Sequence, residues 1–409
     1  MHVDTDRRDD LPEALAGTEG RSGPRDLILK RLLGSLAAGR LAIVTPEQRR
    51  LAGRGAAPGP DATLVLHRWR ALRRLLTGGD VGFSEAYVAG DWSSPDLAAL
   101  VELAALNVPQ LEARLAALLP LRLWNRLRHA LRGNSPDGSR RNIAFHYDLG
   151  NAFYRLWLDR SMSYSSALYE APGQSLEEAQ AAKIRRVLAL MDVRSGDTVL
   201  EIGCGWGGLA AALARRGADV TGLTLSREQL AYGTAMLAGE GLDGRARLRF
   251  QDYREAEGRY DRIVSIEMLE AVGERYWPIY FRKVRECLKH GGTAVLQVIT
   301  IAEDRFEGYR RNTDFIQRHI FPGGMLPTKA LIATHARRAG LDLVGLESFG
   351  ASYALTLAEW RRRFGAARRD IDRLGFGEEF RRLWDYYLGY CEGGFRARAI
   401  DVGFYTLRG

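Results

Sequence analysis

A glycine-rich turn is the part of the sequence whose residue types and spacing most directly indicate chemistry. Gly203, Gly205 and Gly208 lie between an apolar run that ends at Ile202 and a helical pattern that follows. Glycine is needed where the backbone turns sharply and where a ligand must approach the main chain closely. Because these glycines follow a strand and precede a helix, their spacing predicts a binding site for a nucleotide-like ligand.

The second predicted strand narrows the kind of nucleotide. A dinucleotide enzyme places Asp or Glu at the end of this strand, whereas residues 220–226 read Val-Thr-Gly-Leu-Thr-Leu-Ser. The sequence also lacks a Gly-Lys-Ser/Thr phosphate loop. Glu201 before the turn, and Gln251 and Asp252 after the third strand, suit an adenosine that carries a cationic sulfonium. The residues therefore favour a methyltransferase, with a nucleotide oxidoreductase as the alternative.

Strands and helices alternate around this turn, which predicts an α/β domain with a parallel sheet and crossover helices. The predicted strands are 197–202, 219–225, 247–251, 260–266, 293–301, 341–349 and 399–407. The predicted helices are 176–191, 208–216, 226–240 and 277–288, and an aromatic, partly helical insertion is expected at 303–327.

The first 115 residues predict a smaller, separate α/β domain. Residues 1–25 are polar and are expected to form a mobile tail. Residues 26–44 read as a helix followed by a strand, and 53–60 as a Gly/Pro/Ala-rich turn or linker.

Between the two domains, a basic linker is predicted at 116–140, followed by a catalytic domain at 141–409. Within the linker, 121–132 interleaves Arg with Leu and Trp. On a helix this pattern gives an apolar face and a cationic face. An interfacial helix on an anionic membrane and an ordinary packed surface helix both fit it.

Charge and cysteine content exclude several classes of protein. The 409 residues carry a net charge of +9, which fits either an anionic partner or a bias toward Arg. The three cysteines form no CxxC pair, so neither a disulfide framework nor a metal site is expected. We see no secretory signal and no membrane-spanning run. Nucleic-acid methylation is not expected, because no Asn/Asp-Pro-Pro-Tyr-like motif is present.

Six ordered motifs resemble those of the cyclopropane fatty acid synthases. They lie at 146–151, 162–166, 201–208, 223–229, 321–327 and 394–398. The resemblance runs from about Arg141 to the C-terminus and more weakly over 65–107. It implies a Rossmann-like class I methyltransferase sheet, a smaller N-terminal α/β domain that engages lipid, and S-adenosylmethionine as the cofactor.

The resemblance also assigns cofactor contacts. Gly203 and Gly205 should line the methionine portion, and Tyr164 and Ser165 should cap it. Gln229 should reach the ribose, while Gln251 and Asp252 should lie near the adenine.

The same resemblance implies a bound bicarbonate that acts as the base. Its pocket carries over to five positions, namely Ser166, Glu270, Gln297, Ile299 and Tyr353. Ser166 and Gln297 stand where the family has Cys and His, although both types can hydrogen-bond an oxyanion. Retained bicarbonate and a redirected removal of the proton therefore both stay open. On this basis Glu270→Gln should lose most turnover and keep cofactor binding.

The implied reaction is C-methylation at the cis double bond of an unsaturated phospholipid acyl chain. Attack on the sulfonium methyl leaves a carbocation, and loss of a proton from the new methyl group closes a cyclopropane. A methylene- or methyl-branched chain, or a furan precursor, is the alternative product. We expect a homodimer that works in the cytoplasm, peripherally at the inner face of the membrane, with no nucleic-acid partner.

Overall fold

The computed structural model describes residues 23–109 and 149–409. Most of the predicted tail at 1–25, the whole linker at 116–140 and its segment 121–132 lie outside the described residues. So do the first three residues of the motif at 146–151. The predicted domain boundaries at 115 and 140 fall there as well and stay predictions.

The N-terminal part folds as a four-stranded sheet covered by helices. Its strands are β1 (Ala38–Val44), β2 (Arg50–Arg54), β3 (Ala57–Leu66) and β4 (Trp92–Ser93), and its helices are α1 (Pro24–Leu33), α2 (Arg70–Val88) and α3 (Leu97–Leu106). The strand order is β2-β1-β3-β4, with β1 and β3 parallel and the other pairs antiparallel. Buried Asn107 ties α3 to the sheet, because its side-chain oxygen accepts from the amides of Ala37 and Ala38.

The turn or linker predicted at 53–60 is shorter than expected, because only residues 55–56 connect the strands, while 53–54 complete β2 and 57–60 open β3. Its glycines serve close packing between strands. A Cβ at Gly55 would lie 2.3 Å from the carbonyl carbon of Ala37, and one at Gly59 would lie 2.8 Å from the nitrogen of Gly39. A Gly- and Pro-rich strand therefore has the composition of a loop, and only its neighbours distinguish the two.

The second sheet has seven strands in the order β10-β11-β9-β8-β5-β6-β7. They are β5 (Thr198–Ile202), β6 (Asp219–Thr224), β7 (Ala246–Phe250), β8 (Tyr260–Ile266), β9 (Leu288–Ile301), β10 (Asp342–Ser348) and β11 (Ile400–Arg408). β5 to β9 pair in parallel as predicted, whereas β11 lies antiparallel between β9 and β10. The sequence pattern could not show this reversal, because an apolar strand reads alike in both directions.

Helices cover this sheet and frame its cleft. They are α4 (Asn151–Tyr154), α5 (Leu176–Met191), α6 (Gly208–Arg215), α7 (Arg227–Gly239), α8 (Leu269–Val272), α9 (Trp277–Cys287), α10 (Glu303–Arg311), α11 (Lys329–Arg338), α12 (Gly350–Ala366), α13 (Arg368–Arg373) and α14 (Glu378–Arg396). The predicted insertion at 303–327 contains α10 and a π-helical turn at Ile316–Ile320. α5 begins where predicted, because Ser175 and Glu178 form a capping box.

The two sheets are joined through α14, which packs on α3. Gly389 and Gly393 allow this approach, since a Cβ at Gly393 would lie 2.7 Å from the carbonyl oxygen of Ala98. The Tyr87 hydroxyl on α2 also donates to Asp385 on α14 (2.5 Å). An apolar core therefore continues from the first sheet into the second. Among the described residues, no helix is long and apolar enough to span a membrane.

Candidate active site

The glycine-rich turn joins β5 to α6 at the carboxyl edge of the large sheet. Gly203, Gly205 and Gly207 have φ values of 84°, 52° and 87°, which L side chains rarely adopt. A Cβ at Gly203 would lie 2.8 Å from Cγ of Met268, whereas a Cβ at Gly205 would have no heavy atom within 4 Å. Gly203 thus serves close packing, while Gly205 faces open space beside the sheet edge.

Most of the predicted cofactor contacts gather around this turn. Tyr164, Ser165, Gln229 and Gln251 line the same cavity as Gly203 and Gly205. The Tyr164 hydroxyl lies 2.7 Å from that of Tyr387, and the oxygen of the Gln229 side chain accepts from Thr224 (2.9 Å). These contacts fix the side chains before any ligand binds, and the roles assigned to them stay predictions.

Asp252 is placed differently from the other predicted cofactor residues. Its side chain is buried and holds the Arg254 guanidinium through both oxygens, at 2.8 and 2.6 Å. It also accepts from the amide of Arg254. The cavity is lined by its neighbours Gln251 and Tyr253 and not by Asp252, as far as the described residues show. A contact from its carboxylate to adenine would need the ion pair with Arg254 to rearrange.

A buried lysine is a feature that sequence reasoning missed. Lys183 on α5 donates to the Ser165 hydroxyl (2.8 Å) and lines the cavity together with Glu201. Burial lowers the pKa of Lys183 to about 8 and raises the pKa of Glu201 to about 8. The signal in the sequence was a lysine on the apolar face of a helix, which is rare without a partner.

The residues of the predicted oxyanion pocket form hydrogen bonds around two different carboxylates. Glu270 accepts a hydrogen bond from the amide of Ile299 through Oε1. Its other oxygen is buried and has no hydrogen-bond partner in the described part of the chain. Thus Glu270 and Ile299 come together as predicted.

The remaining three members meet at Glu267, which sequence reasoning did not single out. Its Oε1 accepts from the Ser166 amide (2.9 Å) and from the Gln297 side chain (2.7 Å). Its Oε2 accepts from the Tyr353 hydroxyl (2.7 Å). The signal was available, since an acid directly after β8 stands at the strand end where parallel sheets bind ligands.

The fold explains why these residues meet. Gln297 on β9 pairs with Ile266 at the end of β8, so it stands beside Glu267. Helix α12 carries Tyr353, and its Thr356 accepts from the amide of Ala167, which follows Ser166.

The two carboxylates influence each other's protonation. Burial raises the pKa of Glu270 to about 8, and the charge of Glu267 adds to this rise. Burial also raises the pKa of Glu267, although its three hydrogen bonds act in the opposite direction. At neutral pH Glu270 therefore carries a proton, whereas the three hydrogen bonds to Glu267 oppose the effect of burial and favour its charged form.

A cavity of about 1460 Å³ connects most of these groups, although not Asp252, Ser166 or Gln297, to the N-terminal sheet. One end holds the glycine turn, and Glu267 and Glu270 also line it. The other end is apolar and is lined by residues of the first sheet and its helices, among them Leu29, Leu41, Ile43, Leu66, Leu72 and Leu100. This volume exceeds the roughly 300–1,000 Å³ of common small-molecule pockets. The site therefore offers a polar cleft that continues into a long apolar space.

The polar end fits S-adenosylmethionine. Gly205 leaves room for close approach to the backbone, and an oxygen of buried Glu201 has no hydrogen-bond partner among the described residues. Such a buried acceptor suits a cationic or hydroxyl-bearing ligand. When bound, S-adenosylmethionine would supply an electrophilic methyl group on a sulfonium.

Comparisons with known proteins agree with this fold and with S-adenosylmethionine as the cofactor. Residues 134–404 match the model of the family described as mycolic acid cyclopropane synthetase. Tuberculostearic acid methyltransferase of Mycobacterium tuberculosis is 40% identical over 363 residues, which are 86% of this chain and 84% of that protein. Cyclopropane-fatty-acyl-phospholipid synthase of Escherichia coli K12 is 36% identical over 337 residues, 81% of this chain and 84% of that protein.

A crystal structure of a mycolic acid cyclopropane synthase, complexed with SAH and CTAB, is similar over 66% of this chain and 98% of that one. It has 31% sequence identity and a TM-score of 0.63. The seven-stranded sheet and the site thus define a class I methyltransferase that depends on S-adenosylmethionine. Within that class, the chain belongs to the mycolic acid cyclopropane synthetase family, which confirms the resemblance to cyclopropane synthases.

Proposed function

We propose that the protein methylates a carbon of a cis double bond in an unsaturated phospholipid acyl chain, in the manner of a cyclopropane-fatty-acyl-phospholipid synthase. The observation that carries this proposal is the continuous cavity. It joins the glycine turn to two carboxylates and then to an apolar space walled by the N-terminal sheet. An acyl chain has the shape and polarity that such a space accommodates.

The features of the cavity match the requirements of methyl transfer to an alkene. An alkene is a weak nucleophile, so reaction requires a strong methyl electrophile held close to it, with water excluded. Tyr164, Ser165, Gly203, Gly205, Gln229 and Gln251 would position the cofactor, with Asp252 behind them. On the opposite side, Glu270, Ile299 and Tyr353 would lie beside the reacting carbons, with Ser166 and Gln297 behind Glu267. Water would quench the carbocation, so the apolar wall protects it.

The names of the two relatives indicate different reaction products. One is named for a methyltransferase reaction and another for cyclopropane formation. We propose cyclopropane as the first candidate product. A methylene- or methyl-branched chain or a furan precursor is the second, favoured by Gln297 and Glu267, which alter the pocket that the resemblance implies for bicarbonate.

The test is expression in a bacterial host that lacks its own cyclopropane synthase and is fed methionine with a deuterated methyl group. Gas chromatography with mass spectrometry of the fatty acids separates cyclopropane, methylene and methyl products. We expect labelled acyl chains that keep two of the three deuterium atoms, because a proton leaves the new methyl group. A lipid fraction without label would overturn the proposal. Retention of all three would place the proton loss on the chain instead.

We also infer that the enzyme works on membrane lipids from the cytoplasmic face, as a peripheral protein and a homodimer. Three arginines at the cavity, Arg305, Arg311 and Arg318, support attraction to lipid phosphates. Co-sedimentation with vesicles of phosphatidylglycerol or phosphatidylcholine tests this, because binding should favour the anionic vesicles and weaken with salt. Equal binding to both vesicles would contradict it, and sedimentation equilibrium measures the oligomer.

A further inference from the structure

The carboxylate of Glu267 lies in a site whose hydrogen-bond donors would suit an anion. Its two oxygens accept three hydrogen bonds, from the Ser166 amide, the Gln297 side chain and the Tyr353 hydroxyl, all within 2.9 Å. Charge-assisted bonds of this kind are stronger than those between neutral groups. Three segments far apart in sequence therefore converge on one carboxylate of the chain itself.

A separate bicarbonate does not fit this arrangement. Ser166, Gln297 and Tyr353 already donate to Glu267, and the amide of Ile299 donates to Glu270. The Ser166 hydroxyl donates to the carbonyl of Ala167 (2.9 Å). Within the described residues, Glu267 and Tyr353 line the cavity, whereas Ser166 and Gln297 do not. The side chain of Glu267 thus stands between the cavity and two of the groups expected to bind the oxyanion.

The backbone conformation at Glu267 supports a functional role for this carboxylate. Its φ is +50°, in the left-handed region that a residue with a Cβ rarely adopts. The amide of Glu267 donates to the carbonyl of Gln297 (2.8 Å), which holds the strained turn in place. Strain of this kind persists where the surroundings fix it, and it concentrates at functional sites.

We propose that Glu267 is the proton acceptor of the reaction and takes the place of a separate bicarbonate. This inference rests on the proposed C-methylation of an acyl chain. The alkene electron pair forms the new bond to the methyl carbon as the bond from that carbon to sulfur breaks. The carbocation on the neighbouring carbon then loses a proton to a carboxylate oxygen of Glu267. The released C–H electron pair closes the ring or forms a double bond.

Glu267 suits this role better than Glu270. Three donors stabilise the charged form of Glu267, whereas Glu270 receives one from Ile299. The pKa of Glu270 is raised to about 8 by burial and by the nearby Glu267, so it carries a proton at neutral pH. A base must be deprotonated when the carbocation forms. Glu270 then serves as the neutral neighbour that keeps the negative charge on Glu267.

Two substitutions test the proposal with different readouts. Glu267→Gln keeps the shape and removes the base, so turnover should fall by about 10²- to 10⁴-fold while S-adenosylhomocysteine binds as in wild type. Glu267→Gly removes the side chain at a backbone angle that glycine favours, so folding should persist. It also frees the donors for an added anion. Glu257→Gln, at an exposed glutamate, is the matched control.

Bicarbonate is the probe for Glu267→Gly. We expect calorimetry to detect bicarbonate binding to this variant and not to wild type, and added bicarbonate to restore part of its turnover. Wild type should keep full turnover in buffer freed of carbon dioxide. Bicarbonate binding to wild type as tight as to the variant, or wild-type turnover in Glu267→Gln, would overturn the inference.

The binding experiment separates the two proposals. If wild type methylates no acyl chain, the proposed function fails. Calorimetry still shows whether the Glu267 side chain occupies the place where bicarbonate would bind. If wild type methylates acyl chains and Glu267→Gln does so at the same rate, the role of Glu267 alone fails.

Discussion

The two polar walls of the cavity are built in contrasting ways. At the cofactor wall, three glycines within five residues shape one turn between β5 and α6. At the opposite wall, Glu267 and Tyr353 line the cavity, and Ser166 and Gln297 bond Glu267 from behind; the four come from separate segments. The first wall depends on backbone conformation, and the second depends on side chains held by tertiary contacts. Local motifs therefore identify the methyl donor, while the fate of the proton depends on the assembled fold.

The strongest test of this contrast is Gly205→Val at the cofactor wall. The substitution places a branched side chain at φ 52° and fills space that faces the cavity. We expect S-adenosylhomocysteine to bind on the order of 100-fold more weakly by calorimetry, since strain of about 1–3 kcal/mol adds to the steric block. Gly241→Val is the control, because Gly241 also has a positive φ (68°) and open space, away from the cavity. Equal loss of binding in both variants would assign the effect to strain alone.

Leu41→Trp tests the apolar end of the cavity. Leu41 lines it from β1, and a larger ring should shorten the space available to an acyl chain. Turnover of long-chain substrates should drop by about tenfold with cofactor binding unchanged, because a misfit of a methylene or more costs about 1–3 kcal/mol. Leu27→Trp, on the exposed side of α1, should have no effect. Unchanged turnover in Leu41→Trp would mean that the chain lies elsewhere.

Glu270→Gln separates the two carboxylates. The resemblance alone predicts that this variant loses most turnover, whereas the structure predicts a loss of a few-fold. Gln is close in shape to a protonated Glu and can still accept from Ile299. The measurement is turnover beside Glu267→Gln under the same conditions. A Glu270→Gln variant as inactive as Glu267→Gln would return the role of base to Glu270.

The smallest expected effect is on stability as a function of pH. The pKa of Glu270 is raised from 4.5 to about 8 on folding, so the folded state binds this proton more tightly. The resulting stabilisation is complete below about pH 4.5 and is lost as pH rises to about 8. Glu201, whose pKa burial also raises to about 8, acts in the same direction. We expect the free energy of unfolding by urea to fall by at least about 1 kcal/mol between pH 6 and pH 8.

The control for this experiment is Glu270→Gln, whose stability should depend less on pH than that of wild type. Lys183 acts in the opposite direction, because its lowered pKa makes folding more favourable as pH rises from about 8 to 10.5. The two proteins are therefore compared below about pH 8, where Lys183 contributes little to the pH dependence. If the free energy of unfolding changes with pH equally in both proteins, Glu270 does not contribute to the pH dependence of stability.

The sequence predicted much of the fold because its signals there are local. The strands of the large sheet lie within a few residues of their predicted positions, except that β9 begins earlier, and the family assignment was confirmed. Two features were beyond reach. The segment at 53–60 has the composition of a loop, and the direction of β11 leaves no trace in an apolar pattern. Both features depend on which strand of the sheet lies beside the segment, and the local sequence does not specify this.

For the site, the sequence by itself determined the glycine turn and, through it, the methyl donor, because backbone angles and close approach select glycine locally. The five residues of the predicted oxyanion pocket came from the resemblance to cyclopropane synthases, and their roles stay predictions. Only the tertiary structure decided that Ser166, Gln297 and Tyr353 bond Glu267, while Glu270 bonds Ile299. The reason is physical, since β8 and β9 set Gln297 beside Glu267 and α12 brings Tyr353 and Ser166 across to it. Hydrogen bonds between distant segments depend on strand register and helix packing, which residue spacing does not encode.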